Sequence, residues 1–369
     1  MGGTSSGKIR LLIQVVETFL QTTIKSEGGI RMMKKAFLIT VFALTVFTCW
    51  ATVACAKEVK LIFATGDTAM AHKNVQICHP WAQRINEQGK GIIKIDVRDG
   101  FTLVNHQNFY QRAHDNVVQI TWGIIGLIAG KFDKTNIIGL PYMSEKSEIS
   151  SVAFWRLYKS GLLDDEYDDI VPLFVTGLPN SSFHFAKPLK SVDNFSGLKI
   201  TAGTKLLAAL VRQHGATPIS LPLPDYYEAL QRGTVDGIMM TWTGFQPFKL
   251  AEVTKYHIDT QLGGAPGAVF MMKKEYNALP PEARKIIDAN SGEAQSRAFG
   301  AFWDRVQGET RKQVEGMKGH TVVSLTPEQT AEWRKRDTPI IEEWIKTIPD
   351  GEKVYAKYAE LIKQVEAGN

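Results

Sequence analysis

The chain has 369 residues, 44% hydrophobic and 22% charged, enough to bury a sizeable core, and its composition excludes collagen-like, coiled-coil and disordered chains. Its 43 Lys and Arg against 38 Asp and Glu give a net charge of +5, but residues 1–56 hold six basic residues (Lys8, Arg10, Lys25, Arg31, Lys34, Lys35) and two acidic ones (Glu17, Glu27), so the remainder stands at +1. A near-neutral body without a basic stripe argues against a nucleic-acid binder, whose affinity rests on neutralising phosphates, and the length points to two domains.

From Met33 the sequence reads Met33, Lys34, Lys35, an almost unbroken apolar run from Ala36 to Val53, then Ala54, Cys55, Ala56 and the polar Lys57. A positive start, an apolar middle and small residues at the end form a secretory signal over 33–56, with cleavage expected after Ala56 and export to the periplasm. The competing readings are a single membrane anchor, because the run is near the roughly 18 residues that can span a bilayer, and a lipid-anchored Cys55. Residues 1–32 precede a signal that has its own Met and read as an upstream extension. Cys49 and Cys55 fall in the signal, so the mature chain keeps only Cys78 and can form no internal disulfide; beside His79 on a helix, that thiol reads as a small buried hydrophobe.

After Lys57, residues 59–64 read as a buried strand, and a Gly/Asp/Thr loop (Thr65 to Thr68) leads to a helix over 72–87. A strand over 92–97, a helix over 106–114 and a strand over 117–122 follow. Strands alternating with helices predict βαβ units and a mostly parallel sheet. A second series comprises strands over 170–176, 183–185 and 198–200, a helix over 204–214, a strand over 217–221 and a helix over 225–232. A strand over 269–273 follows the stretch Gly263-Gly-Ala-Pro-Gly267, a place for the chain to cross back. Pro280, Pro281 and Glu282 open a long helical pattern reaching Met317, roughly 50 Å at 1.5 Å per residue, and helices over 327–346 and 353–366 end the chain.

The usual enzyme signatures are absent: no Gly-rich phosphate loop, no HExxH, no paired cysteines and no GxSxG elbow. The eight histidines lack metal-ligand spacing, and the acidic cluster Asp164, Asp165, Glu166, Asp168, Asp169 lacks the glycine and spaced ligands of a calcium loop, so it reads as a solvated turn. No metal and no cofactor is expected.

The stretch Leu221-Pro-Leu-Pro-Asp-Tyr-Tyr-Glu-Ala-Leu-Gln-Arg-Gly-Thr-Val-Asp-Gly237 resembles the signature of the DctP-type periplasmic solute-binding proteins of TRAP (tripartite ATP-independent periplasmic) transporters. It is accompanied in order by His79-Pro-Trp-Ala82, Ser196-Gly-Leu-Lys-Ile200, Gly215-Ala-Thr-Pro218 and Phe248-Lys-Leu-Ala-Glu-Val-Thr-Lys-Tyr-His257. The resemblance implies an α/β, two-lobed (type II-like) periplasmic binding protein with crossing hinge strands, a long bracing helix over about 281–317 and a cleft that closes on a small organic solute. Residues 57–178 and 266–300 are expected in lobe I and 179–265 and 301–369 in lobe II, and because loop ends and glycines absorb φ/ψ change, the hinges are placed at Thr176 to Asn180 and Gly263 to Gly267, which otherwise read as ordinary surface loops. The implied partner is a membrane permease driven by an ion gradient, and a monomer is the simplest state for a protein that must close and dock. A ligand-sensing protein that reports to a membrane sensor, and an exported enzyme using His79, His184 or Asp236, are the alternatives from other classes.

In this family an arginine usually follows the Gly-Leu-Lys-Ile stretch and forks onto the substrate carboxylate; here that position is Thr201, and a second family arginine position falls on Ser181. A carboxylate taken into a closed cleft without a cation costs several kcal/mol in desolvation. The helix N-terminus at Thr201 to Lys205, with Lys205 itself, offers one replacement. Trp122, Phe183, Trp242 and Phe245, with Met240 between them, fall where the resemblance expects cleft residues. An aromatic box suits an aromatic or apolar ligand, or an organic cation countered by Asp67, and His184 lies beside it. The same aromatics also fit an ordinary core.

Overall fold

Strand β1 (Val59–Ala64) pairs in parallel with β2 (Ile93–Arg98), Val59 opposite Ile93 through to Ala64 opposite Arg98, and with β3 (Ile120–Gly123). In the computed structural model the described residues are 58–369 together with Gln14 and Thr18; the expected signal, with Cys49 and Cys55, lies outside them. Strands β4 (Ile170–Gly177) and β10 (Pro266–Met272) complete a five-stranded sheet in the order β2-β1-β3-β10-β4. β2 buries Ile93 and Ile95 and exposes Lys94 and Asp96, as a one-faced edge strand should, whereas β10 is buried at every position in the interior. Helices cover both faces. Trp81, Ile85, Phe299 and Trp303 pack on one side, and Phe154, Leu157, Tyr358 and Leu361 on the other.

A six-stranded second sheet runs β11-β9-β5-β8-β6-β7, from β5 (Ser182–Phe185), β6 (Lys199–Ala202), β7 (Thr217–Ile219), β8 (Gly237–Met240), β9 (Tyr256–Asp259) and β11 (Thr321–Ser324). One face packs Phe183, Phe185, Phe195 and Ile200 against Leu207, Leu210 and Trp333; the other packs Ile238 against Tyr226, Leu230, Trp242 and Phe245. The two-lobed α/β fold is as expected, but the sheets are mixed: β10 runs antiparallel to β3 and β4, and β5 antiparallel to β8 and β9. The cause is topological, because a chain that crosses from one sheet to the other and back must reverse direction in each.

The crossings are residues 178–181 and 260–265. Leu178 N donates to Ala265 O (2.9 Å), Ser181 N to Gly263 O (2.8 Å) and Thr260 Oγ1 to Ser181 O (2.9 Å). Gly263 has φ +76°, and a Cβ on it would lie 2.0 Å from Gly139 O, so this position admits only glycine.

Two expectations about helices need correction. The pattern expected as one helix from 281 to 317 is two, Pro281–Ala289 and Glu293–Glu315, because Gly292 turns the chain at φ +84° and donates its N–H to Leu173 O (2.7 Å). The longer one still packs on both sheets, through Phe299 and Trp303 at one end and Val314 at the other. The final helix, Gly351–Glu366, does not join lobe II as 301–369 was assigned. It buries Val354, Tyr358, Leu361 and Ile362 against helix Ser147–Lys159, with Ser150 Oγ and Tyr358 Oη 2.8 Å apart, so it belongs to the first lobe. Helix Pro327–Thr347 links the lobes, with Trp333 in one core and Trp344 in the other. The acidic turn is also more than solvated: the Glu166 carboxylate accepts from Thr135 N (2.9 Å) and Thr135 Oγ1 (2.6 Å), and Lys134 reaches Asp165 (2.9 Å).

Candidate functional site

The pairing registers place one set of strand ends together in each sheet. In the first sheet the C-terminal ends of β1, β3 and β4 share an edge with the start of β10 (Pro266 opposite Gly177, Ala268 opposite Gly123). In the second, the C-terminal ends of β6, β8 and β9 share an edge with the start of β5 (Ser182 opposite Met240, Ala202 opposite Met239). The crossings join these two edges. Loops at the carboxyl ends of strands, where connectivity reverses, are where open α/β sheets bind ligands.

On the first edge the loop after β1 carries Asp67, and the chain returns through a π-helical turn, Asn74–Cys78, into helix His79–Gln88 rather than through one regular helix over 72–87. Lys73, 5% exposed, sets its Nζ 2.8 Å from the Asp67 carboxylate, 2.9 Å from Asn74 Oδ1 and 3.3 Å from Thr65 O. The same Nζ stands 5.6 Å from the centre of the Trp122 ring at the end of β3. His106 Nε2 approaches Asp67 from the other side at 3.4 Å. Burial pushes the Asp67 carboxyl up, but Lys73 and His106 outweigh it and hold the group below its ordinary range. Trp122 is nearly closed off, against Phe299 and the bare backbone of Gly267. Cys78 behaves as read: it is fully buried, and burial raises its thiol to about 11.

On the second edge the structure brings His184, Met240, Trp242 and Phe245 together. The His184 ring lies 4.6 Å from both the Trp242 and Phe245 rings, and His184 Nε2 lies 3.0 Å from Met240 O. Only Met240 of these four retains appreciable exposure. Phe183 is separated from them. Side chains alternate along β5, so it points to the opposite face, where it is fully buried among Phe185, Phe195, His214 and Trp333, and its placement in the cleft is corrected to the core. Thr201 is buried at the end of β6 and its Oγ1 makes no hydrogen bond of good geometry. It lies near Tyr226, whose phenol is raised by burial and lowered in part by Thr201. Lys205 is exposed, and Thr204 already caps its helix by accepting from Leu207 N (3.1 Å), so the helix N-terminus is not left open.

Behind Trp242 the indole Nε1 donates to Asp259 Oδ1 (3.0 Å), and Arg311 Nε from the long helix reaches Asp259 Oδ2 (2.6 Å). Asp259 and Arg311 border a 340 Å³ cavity beside the crossings that also touches Tyr142, Asn180 and Gln307. A larger, open hollow of 690 Å³ lies along β2 and helix His79–Gln88 and reaches Asp99, just past the end of β2. His184 also begins a file of histidines: its Nδ1 lies 3.0 Å from His257 Nδ1, His257 Nε2 lies 3.1 Å from His320 Nδ1, and His320 Nε2 lies 3.1 Å from Lys255 Nζ. Because a carbonyl only accepts, His184 Nε2 must donate to Met240. With each ring neutral, every donation along the file then runs the same way, from Lys255 inward. Burial lowers His184 to about 4 against smaller upward effects from Met240 O and Asp259. It lowers His257 to about 2, with His184, His320 and Lys255 adding to the effect. Among the described residues no group of His, Cys, Asp and Glu has the geometry to hold a metal ion.

The sequence reading missed Lys73, Asp259 and Arg311. Lys73 had a signal: spaced four and eight residues before Ile77 and Trp81, it is in phase with the buried face of its helix. Asp259 and Arg311, 52 residues apart, had none.

The model of the bacterial extracellular solute-binding protein family 7, DctP, matches residues 65–347. The chain belongs to that family. It is 26% identical over 282 residues to the outer membrane transporter protein TsaT of Comamonas testosteroni, covering 73% of this chain and 80% of that one. Its fold matches a TRAP solute-binding protein of Rhodoferax ferrireducens T118, solved with copurified benzoate, with a TM-score of 0.77 and 26% identity over 84% of this chain and 100% of that one. It matches equally, at a TM-score of 0.77 and 27% identity over 84% and 99% of the two chains, a marine metagenome TRAP solute-binding protein specific for aromatic acid ligands, solved with 3-hydroxybenzoate. The chain is thus a TRAP solute-binding protein, which captures a small organic solute and delivers it to membrane permease subunits. The family is periplasmic, and among the described residues no helix is long and apolar enough to cross a membrane.

Proposed function

We propose that this protein, exported by its 33–56 signal and cut near Ala56, is a periplasmic receptor for an aromatic carboxylate, and that it closes about the crossings at 178–181 and 260–265. Bound solute leaves chemically unchanged for an ion-gradient-driven permease. The observation that carries the ligand class is the likeness to two proteins that hold benzoate and 3-hydroxybenzoate. The geometry agrees: on the first edge the Lys73 ammonium already fills both the Trp122 ring face and the Asp67 carboxylate that an organic cation would need.

A thermal-shift series with benzoate, 3-hydroxybenzoate, mandelate, succinate, pyroglutamate and benzylamine tests the reading. Ligand at 100 times Kd stabilises by about 2.7 kcal/mol, which raises Tm by several degrees in a domain of this size. Aromatic acids should give the largest shift, and mass spectrometry after long incubation should recover them intact. A shift with benzylamine alone defeats the acid reading, and conversion of the ligand defeats the transport reading.

A further inference from the structure

We propose that Lys73 is the cation that receives the ligand carboxylate, standing in for the guanidinium that Thr201 does not supply. The inference rests on the organic-acid reading above. A carboxylate drawn into a closed cleft needs a positive partner or a dense set of donors to replace water. The second edge offers the Thr201 hydroxyl, a helix N-terminus already capped by Thr204, and Arg311, whose guanidinium is already paired with Asp259 and Glu315, while Lys205 stays in solvent. Among the described lysines and arginines only Lys73 and Lys134 are buried. Lys134 is held by Asp165 and Asp350. Lys73 lies on the first edge, over the ring of Trp122.

The ammonium has three donors, and its three oxygen partners are unequal. The contacts to Asp67 (2.8 Å) and Asn74 Oδ1 (2.9 Å) are short, and the one to Thr65 O (3.3 Å) is long. Exchanging the long contact for a carboxylate oxygen keeps the donor count at three and replaces a neutral acceptor with a charged one, which makes the stronger bond. Asp67 need not leave. Flanked by Lys73 and His106, its charge is countered on both sides, which limits repulsion of the incoming anion.

The test compares a carboxylate with its uncharged carboxamide, benzoate with benzamide or mandelate with mandelamide, using whichever acid of the panel above binds the wild-type protein most tightly. Lys73→Met alone leaves Asp67 buried without its main partner and endangers the fold, so the informative variant is Lys73→Met with Asp67→Asn, checked by a cooperative melt. The expected result is a loss of 30-fold or more in affinity for the acid with less than a threefold change for the amide. Lys73→Arg, which keeps the charge, should hold acid affinity within tenfold and serves alone if the double variant does not melt cooperatively, a larger loss then overturning the assignment. Equal losses for acid and amide, or undiminished acid binding in the double variant, overturn the role of Lys73 while the acid reading stands. Failure of the wild type to bind any acid of the panel overturns both.

Discussion

Asp259 shows how much one carboxylate organises on the second edge: it accepts from Trp242 Nε1, Ser182 Oγ and Arg311 Nε. Trp242 is therefore anchored by its polar edge as well as its rings, and it is fully buried. Trp242→Ala would excavate the core at about 3–5 kcal/mol and would report on folding, not on binding. Trp242→Phe is the sharper variant. It keeps an aromatic ring beside His184 and Phe245 but removes the donor to a charged acceptor, which is worth about 1.5–3 kcal/mol; the expected outcome is a lower Tm with ligand Kd changed less than twofold, and a tenfold weaker Kd would place the indole against ligand. Thr201→Val is the complementary case. A buried hydroxyl without a good partner costs about 1–3 kcal/mol, so replacing it by an isosteric methyl should leave Tm unchanged or raise it in urea and thermal melts, and a Tm lowered by several degrees would show that the hydroxyl bonds to Tyr226.

Elements were legible wherever a local pattern fixes them. The strand expected over 59–64 coincides with β1 and the helix expected over 204–214 encloses Lys205–Gln213, because apolar periodicity and the Thr204 cap act within a few residues. The strands β8, β9 and β11 and helix Ser147–Lys159 were not anticipated. For the site, sequence order supplied Asp67, Trp122 and Met240 at the joined edges but not the face of Phe183, which a one-residue step along β5 decides, nor the Asp259–Arg311 pair made by tertiary packing. Glycines that break or cross elements were visible as letters without their geometry. Gly263→Ala must accommodate a methyl 2.0 Å from Gly139 O at φ +76°, so the crossings have to part. A loss of more than 2 kcal/mol in urea denaturation is expected, beyond the roughly 1–2 kcal/mol that a left-handed alanine costs alone. Gly292→Ala meets only ordinary contact with Trp155 at 3.5 Å, but at φ +84° and ψ −153° it occupies backbone space open essentially to glycine alone, so a loss of about 1–3 kcal/mol is expected there from conformation. A loss at Gly263 no larger than the conformational amount would mean that close packing at the crossing contributes nothing.

For the molecule as a whole, the file from Met240 O through His184, His257 and His320 to Lys255 links folding to pH. All three histidines have folded pKa values below the unfolded value of 6.5, burial being the first cause in each, so the folded state resists protons that the unfolded chain accepts. The stability they contribute is fully present above about pH 6.5 and is lost as pH falls toward the folded values of about 4 for His184 and about 2 for His257. For His184 alone the loss by pH 4 is on the order of 3 kcal/mol. Around the file, Asp259 works to raise His184 and Lys255 to lower its two neighbours, so neither removes the overall direction. Glu166 and Asp304, whose carboxyls are raised by burial, oppose the trend, because the folded state takes up their protons at higher pH than the unfolded chain does. Urea midpoints should therefore fall steadily from pH 7 to pH 5, a range in which ordinary carboxylates remain mostly ionised. His257→Phe removes the central ring and with it the mutual exclusion of protons, so that its midpoint should fall less steeply over the same range even if its stability at pH 7 is lower. A variant slope equal to that of the wild type would place the acid sensitivity outside the histidine file.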